Sequence, residues 1–165
     1  MQPQIVVAFD FGTAARKALL WAADLQRTLG SKPLEVVYAL NPLPGAPVPE
    51  TVPLPVLSPA DISDIAAMLA DVVHRISPSA ATQIVVSGAA GAAILDAARR
   101  LGADLIVTGT HSRGALSRFF VGSVAEYVLR HASVPVVTVR EESAPAASAE
   151  PPSTPGTGVP VPGFV

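Results

Sequence analysis

Ile5-Val6-Val7-Ala8-Phe9-Asp10-Phe11-Gly12 stands near the start of the chain, and its first five residues are apolar without alternation. A strand with one wet face alternates apolar and polar residues, whereas a strand covered by helices on both faces does not. Residues 5–9 therefore read as a strand of a buried parallel sheet. The period then changes. From Ala14 to Leu29 the apolar positions Ala15, Ala18, Ala22, Leu25 and Leu29 recur at three and four residues, with Arg16, Asp24 and Arg27 mostly elsewhere on the wheel. Gly30 follows as the helix stop, because glycine enters the left-handed region at little cost.

The same rhythm repeats downstream. Leu34–Leu40 is a second apolar run, followed between Pro42 and Pro59 by seven prolines and no helical period, which predicts a long loop. Ser58, Pro59 and Asp61 supply the cap, first-turn proline and early acid of a helix whose buried stripe is Ile62, Ile65, Leu69, Val72 and Ile76. Gln83–Ser87 reads as the third strand, Ala92–Leu101 as a helix stopped by Gly102, and Leu105–Thr108 as the fourth strand. A loop from Gly109 to Val121, a helix from Ser123 to Arg130 and a fifth strand at Val136–Val139 complete the series. Strands alternating with single helices predict an α/β fold, Rossmann-like, with an open five-stranded, mostly parallel sheet and two helices on each face. Beyond Arg140 the chain turns to Ala, Ser, Pro and Gly without periodicity, so the expected division is a domain at 1–140 and a disordered tail at 141–165.

Composition narrows the function. The length suits one domain, and a hydrophobic share of 50% is ample for its core. A net charge of -2 with no recurrent block of Lys and Arg offers nucleic acid no electrostatic footprint. The absence of cysteine excludes disulfides, thiolate metal sites and a Cys nucleophile. The apolar run at the N-terminus is too short for a signal peptide core or a membrane span, so the expected location is the cytoplasm, with no membrane partner. A P-loop needs a Gly-rich loop ending in Lys and Ser or Thr, but the only lysines are Lys17 and Lys32. A dinucleotide site wants three spaced glycines after the first strand, where only Gly12 stands. Aspartate-based phosphoryl transfer wants a second acid beside Asp10, and no Gly-x-Ser-x-Gly elbow is present for a hydrolase.

Ligands of open parallel sheets bind outside the carboxyl ends of the strands, where helix N-termini aim N–H groups into a shared crevice. Two loops have the composition for this. One is Asp10-Phe11-Gly12; the other runs Gly109-Thr110-His111-Ser112-Arg113-Gly114 and continues to Gly122-Ser123. The stretch from Val107-Thr108-Gly109-Thr110-His111-Ser112-Arg113-Gly114 to Val121-Gly122-Ser123-Val124-Ala125-Glu126 resembles the signature of universal stress proteins. The first strand with Asp10, the lead-in Gly102-Ala103-Asp104-Leu105 and the closing Val134-Pro135-Val136-Val137 match as well, so the resemblance covers Gln4 to Arg140.

That resemblance, to the nucleotide-binding branch of the family, implies the adenine nucleotide alpha hydrolase-like fold with the first strand central beside the fourth. It also implies ATP or another adenine nucleotide, with Mg, as ligand. Asp10, helped by Ala8 and Phe9, would meet the adenosine portion, with Ala39 and Thr108 walling the base. Gly109, Ser112 and Arg113 would line the phosphates, and Gly122, Ser123, Val124 and Ala125 would offer them a helix N-terminus. The branch has glycine where this chain has Ser112; if that position is left-handed, serine costs about 1 to 2 kcal/mol, near a tenfold loss of affinity.

The residues also admit plainer roles. Asp10 is as well suited to capping the first helix, Ser123 to a helix N-cap, and Arg113 and Arg118 to a solvated surface. His111 is assigned no chemistry, and His74 and His131 are expected to be structural. No catalytic residue is assigned, so the activity expected is a dimeric stress-response regulator, at most a weak ATP hydrolase. The alternative is a dimeric interaction protein that keeps the fold and has lost the nucleotide because of Ser112. The strand 136–139, last in the series, is an expected sheet edge and the expected homodimer contact.

Overall fold

The computed structural model describes residues 2–40, 58–87, 89–110 and 122–141. Its elements run β1 (Ile5–Phe9), α1 (Thr13–Leu29), β2 (Glu35–Leu40), α2 (Pro59–Ile76), β3 (Ala81–Val86), α3 (Ala90–Leu101), β4 (Leu105–Thr110), α4 (Ser123–His131) and β5 (Val136–Arg140). The sheet order is β3-β2-β1-β4-β5, and all four pairings are parallel. β1 is thus central beside β4, and every residue of it is buried.

The unalternating run is explained by two cores that share one strand. Ile5, Val7 and Phe9 pack on one face against Ala15, Ala18, Leu19 and Ala22 of α1 and Leu69 and Val73 of α2. Val6 and Ala8 pack on the other against Ile94, Ala97 and Ala98 of α3 and Val128 of α4. Each buried Val, Leu, Ile or Phe side chain in this set contributes about 1.5–3 kcal/mol relative to exposure, which is why neither face of β1 tolerates a polar residue.

Helix ends follow the expected chemistry. Gly30 and Gly102 hold φ of 59° and 63°, the left-handed cap. At the start of α2, Asp61 N–H donates to Ser58 Oγ at 3.2 Å while Ser58 N–H donates to the Asp61 carboxylate at 2.8 Å, a complete capping box. The pair holds the Asp61 carboxyl below its ordinary value, the Ser58 side-chain bond being the larger cause.

Several expectations are corrected in detail. Leu29 is exposed and Leu19 takes the core position instead, while only Leu69 of the proposed α2 stripe is fully buried and the unlisted Val73 joins it. β3 begins at Ala81, two residues earlier than its apolar run, because Ala81 N–H already donates to Leu34 C=O at 2.8 Å. β4 is two residues longer than expected: Gly109 and Thr110 pair with Val139 and Arg140, so Gly109 belongs to the strand. The proline-rich stretch and the tail lie outside the described residues, apart from their ends at Ser58, Pro59 and Glu141.

Candidate functional site at the carboxyl ends of β1 and β4

β1 ends at Phe9, and the chain must turn immediately into α1. Phe11 makes that turn with φ of 63°, an uncommon conformation for a bulky residue. Its ring is held edge-on between Phe9 and Tyr38, with centroids 5.4 and 5.1 Å away. Gly12 N–H then donates to Asp10 Oδ1 at 2.9 Å, the two-residue turn that an aspartate favours. Asp10 is therefore fixed by its own loop while its side chain remains at the surface. It does not cap α1, whose N-cap is Gly12 with no side-chain bond.

β4 brings a second wall. Thr108 is 4% exposed, and Gly109 follows where α1 crosses the sheet. A Cβ at Gly109 would lie 2.5 Å from the Ala14 carbonyl carbon and 2.6 Å from Ala15 N, so the glycine lets a helix backbone approach the strand. Gly122 differs: a Cβ there meets nothing within 4 Å among the described residues.

These pieces enclose one cavity of about 280 Å³. Ala8, Phe9 and Asp10 of the β1 end, Ala39 of β2, Thr108 and Gly109 of β4, and Gly122, Ser123, Val124 and Ala125 at the start of α4 all line it. Ser112 and Arg113, the other two residues singled out from the sequence, lie outside the described residues, as does His111. Three further lining residues carried no chemical signal: Ala15 and Ile94 were absorbed into helix patterns, and Ala90 lies before the expected start of the third helix at Ala92.

Ser123 is not the N-cap of α4, as expected from its type, but the first helical residue; Gly122 is the N-cap, and no side chain caps the helix. α3 likewise opens beside the cavity, at Ala90, without a side-chain cap. Among the described residues, the leading N–H groups of both helices therefore have no acceptor within their own helix or from the N-cap side chain. Apolar walls, one carboxylate and helix N-termini suit a flat apolar ring joined to a polar, anionic group. Of the other histidines, His74 Nε2 lies 3.0 Å from Ala80 C=O, and His131 Nδ1 donates to Tyr127 C=O at 2.8 Å.

A model of the universal stress protein family matches residues 1–140. This chain belongs to the universal stress protein family. A universal stress protein structure from Archaeoglobus fulgidus aligns at TM-score 0.62 and 26% identity, over 84% of this chain and 99% of that one. A second, from the same organism and in complex with dAMP, aligns at TM-score 0.57 and 27% identity, over 84% and 98%. A Staphylococcus epidermidis protein named for the same family is 52% identical over 48 residues. That match spans 29% of this chain and 29% of the relative. No helix among the described residues is long and apolar enough to cross a membrane.

Proposed function

We propose that this universal stress protein binds an adenine nucleotide, ATP with magnesium, in the cavity at the carboxyl ends of β1 and β4. The base lies between Ala39 and Thr108, and Asp10 receives the ribose hydroxyls beside Ala8 and Phe9. The phosphates run past Gly109 toward Ser112, Arg113 and the start of α4. The observation that carries this reading is the contrast between helix ends. α3 and α4 begin at the cavity with no side-chain cap, whereas α2, which starts outside it, has a full capping box. A phosphate is a natural partner for such N–H groups, and the helix dipole favours its charge. The dAMP complex of the Archaeoglobus fulgidus relative supports the ligand class.

The domain at 1–140 carries this activity in the cytoplasm, as a regulator rather than a catalyst, with ATP hydrolysis at most slow. It works as a homodimer through β5. Ile106 N–H donates to Pro135 C=O and Glu141 N–H to Thr110 C=O, so the odd-numbered residues of β5 face β4. By alternation along a parallel strand, the N–H and C=O groups of Val136, Thr138 and Arg140 point away from the sheet and suit pairing with a second copy. Nucleotide released from purified protein by heat and identified by chromatography tests the ligand.

A second reading rests on Gly109. Its glycine is explained by the approach of α1, with no phosphate required, so the pattern of glycines is compatible with a dimeric interaction protein that binds no nucleotide. Protein that carries no nucleotide and takes none up, yet still dimerises, would favour it.

A further inference from the structure

A second cleft, of about 290 Å³, opens at the other end of the α3 and α4 layer, where both helices finish. Its floor is apolar: Leu95 and Ala98 of α3, Ile106 of β4, and Val134. Its polar lining residues are Arg99, His131 and Ser133, and among the described residues no carboxylate lines it. We propose that this cleft binds a small monocarboxylate with an apolar body, its carboxylate on Arg99 and its hydrocarbon on the floor.

Two helix C-termini would ordinarily repel an anion, since their carbonyls carry partial negative charge. Here that charge is met in part. Gly102 and Ala103 N–H donate to the Ala98 and Arg99 carbonyls of α3, while His131 Nδ1 and Ala132 N–H donate to the Tyr127 and Val128 carbonyls of α4. The charged side chain toward the cleft is Arg99. Arg99 pairs with Asp96 one turn back on its own helix, but both side chains are more than 60% exposed. Such a pair contributes little, so the guanidinium can exchange Asp96 for a ligand carboxylate that is also held by apolar contact. His131 is preorganised. Its ring stacks on Tyr127 at 4.2 Å and Nδ1–H is committed to the Tyr127 carbonyl, so the ring forms a fixed wall of the cleft and the carboxylate is left to Arg99.

The cleft shares no lining residue with the nucleotide cavity, so the inference stands whether or not nucleotide binds. Hexanoate is the probe, titrated into the full chain and followed by ¹H–¹⁵N spectra. The expected result is saturable shifts at Gly102, Ala103 and Ser133. Hexanol, which lacks the charge, and acetate, which lacks the body, should each bind at least about fivefold more weakly. Arg99→Gln, an exposed change, should weaken hexanoate by about fivefold or more, and Ala98→Leu should block it by filling the floor. Saturable shifts confined to Asp10 and Gly109, an affinity unchanged by Arg99→Gln, equal binding of hexanol, or no saturable shift would each overturn the assignment. Arg99→Gln decides alone if Ala98→Leu fails to fold.

Discussion

Gly109 and Ala14 are in backbone contact: a Cβ on the glycine would stand 2.5 Å from the carbonyl carbon of the alanine. Neither partner is the end of a flexible side chain, so the contact cannot be relieved without moving α1 from the sheet. Gly109→Ala should therefore destabilise the fold by about 1–3 kcal/mol, read as a lower urea midpoint. An unchanged midpoint would show that α1 is not seated as described.

Gly122 supplies the complementary case. Its added Cβ meets none of the described residues, and the cavity mouth lies beside it. Gly122→Val should cost no more than about 1 kcal/mol of stability, through the weaker N-cap, yet reduce ATP affinity about tenfold by crowding the phosphates. Thermal melts and calorimetric titration of the same variant separate the two effects. Undiminished ATP affinity would remove α4 from the site.

How much of this was legible in the sequence differs between fold and site. Ile5–Phe9 announced the architecture because burial on both faces leaves a pattern that nothing else in a short strand produces. Gly30 and Gly102 were legible because a left-handed cap selects glycine locally. By contrast, the extension of β4 through Gly109 and Thr110 depends on pairing with Val139 and Arg140, a tertiary fact invisible in a Gly-Thr dipeptide. Exposure of Leu29 is equally unreadable, since it follows from where α1 runs past the edge of the core.

The site came chiefly from the resemblance carried by residues 107–129, and the residues alone would have supported less. Ile94 escaped notice because isoleucine on a helix signals packing, whatever it faces, and Ala90 because the helix was expected to start only at Ala92. Gly109 has a reason the sequence did not show: the close approach of Ala14 requires a glycine there whatever the site holds. Phe11 at φ of 63° gave no warning, since local propensity disfavours it and only the aromatic contacts with Phe9 and Tyr38 hold it there.

Thr138→Pro tests the dimer. Thr138 N–H points away from β4, so proline removes an outward donor without breaking the β4 ladder. Light scattering well above micromolar concentration should give a monomer for this variant. A dimer should persist for wild type and for protein truncated after Arg140. A monomeric wild type, or a Thr138→Pro dimer of unchanged affinity, would refute β5 pairing.

Asp61 sets an acid-side signature. Hydrogen bonds from Ser58 lower its folded value below 3.8, so its contribution is fully present above 3.8 and is lost as pH falls through the lower folded value. Between pH 5 and 8 the Asp61→Asn variant should run parallel to wild type in stability, and below pH 4 the two curves should converge. Curves that instead diverge toward acid would contradict the capping box.

The central claim is that the cavity between β1 and β4 takes an adenine nucleotide, and calorimetric titration of the full chain with ATP and magnesium tests it most directly. Saturable binding of one nucleotide per chain, at a Kd of about 1–100 μM, is the expected result. No saturable heat up to about 1 mM, from protein shown to be free of copurified nucleotide, would contradict it.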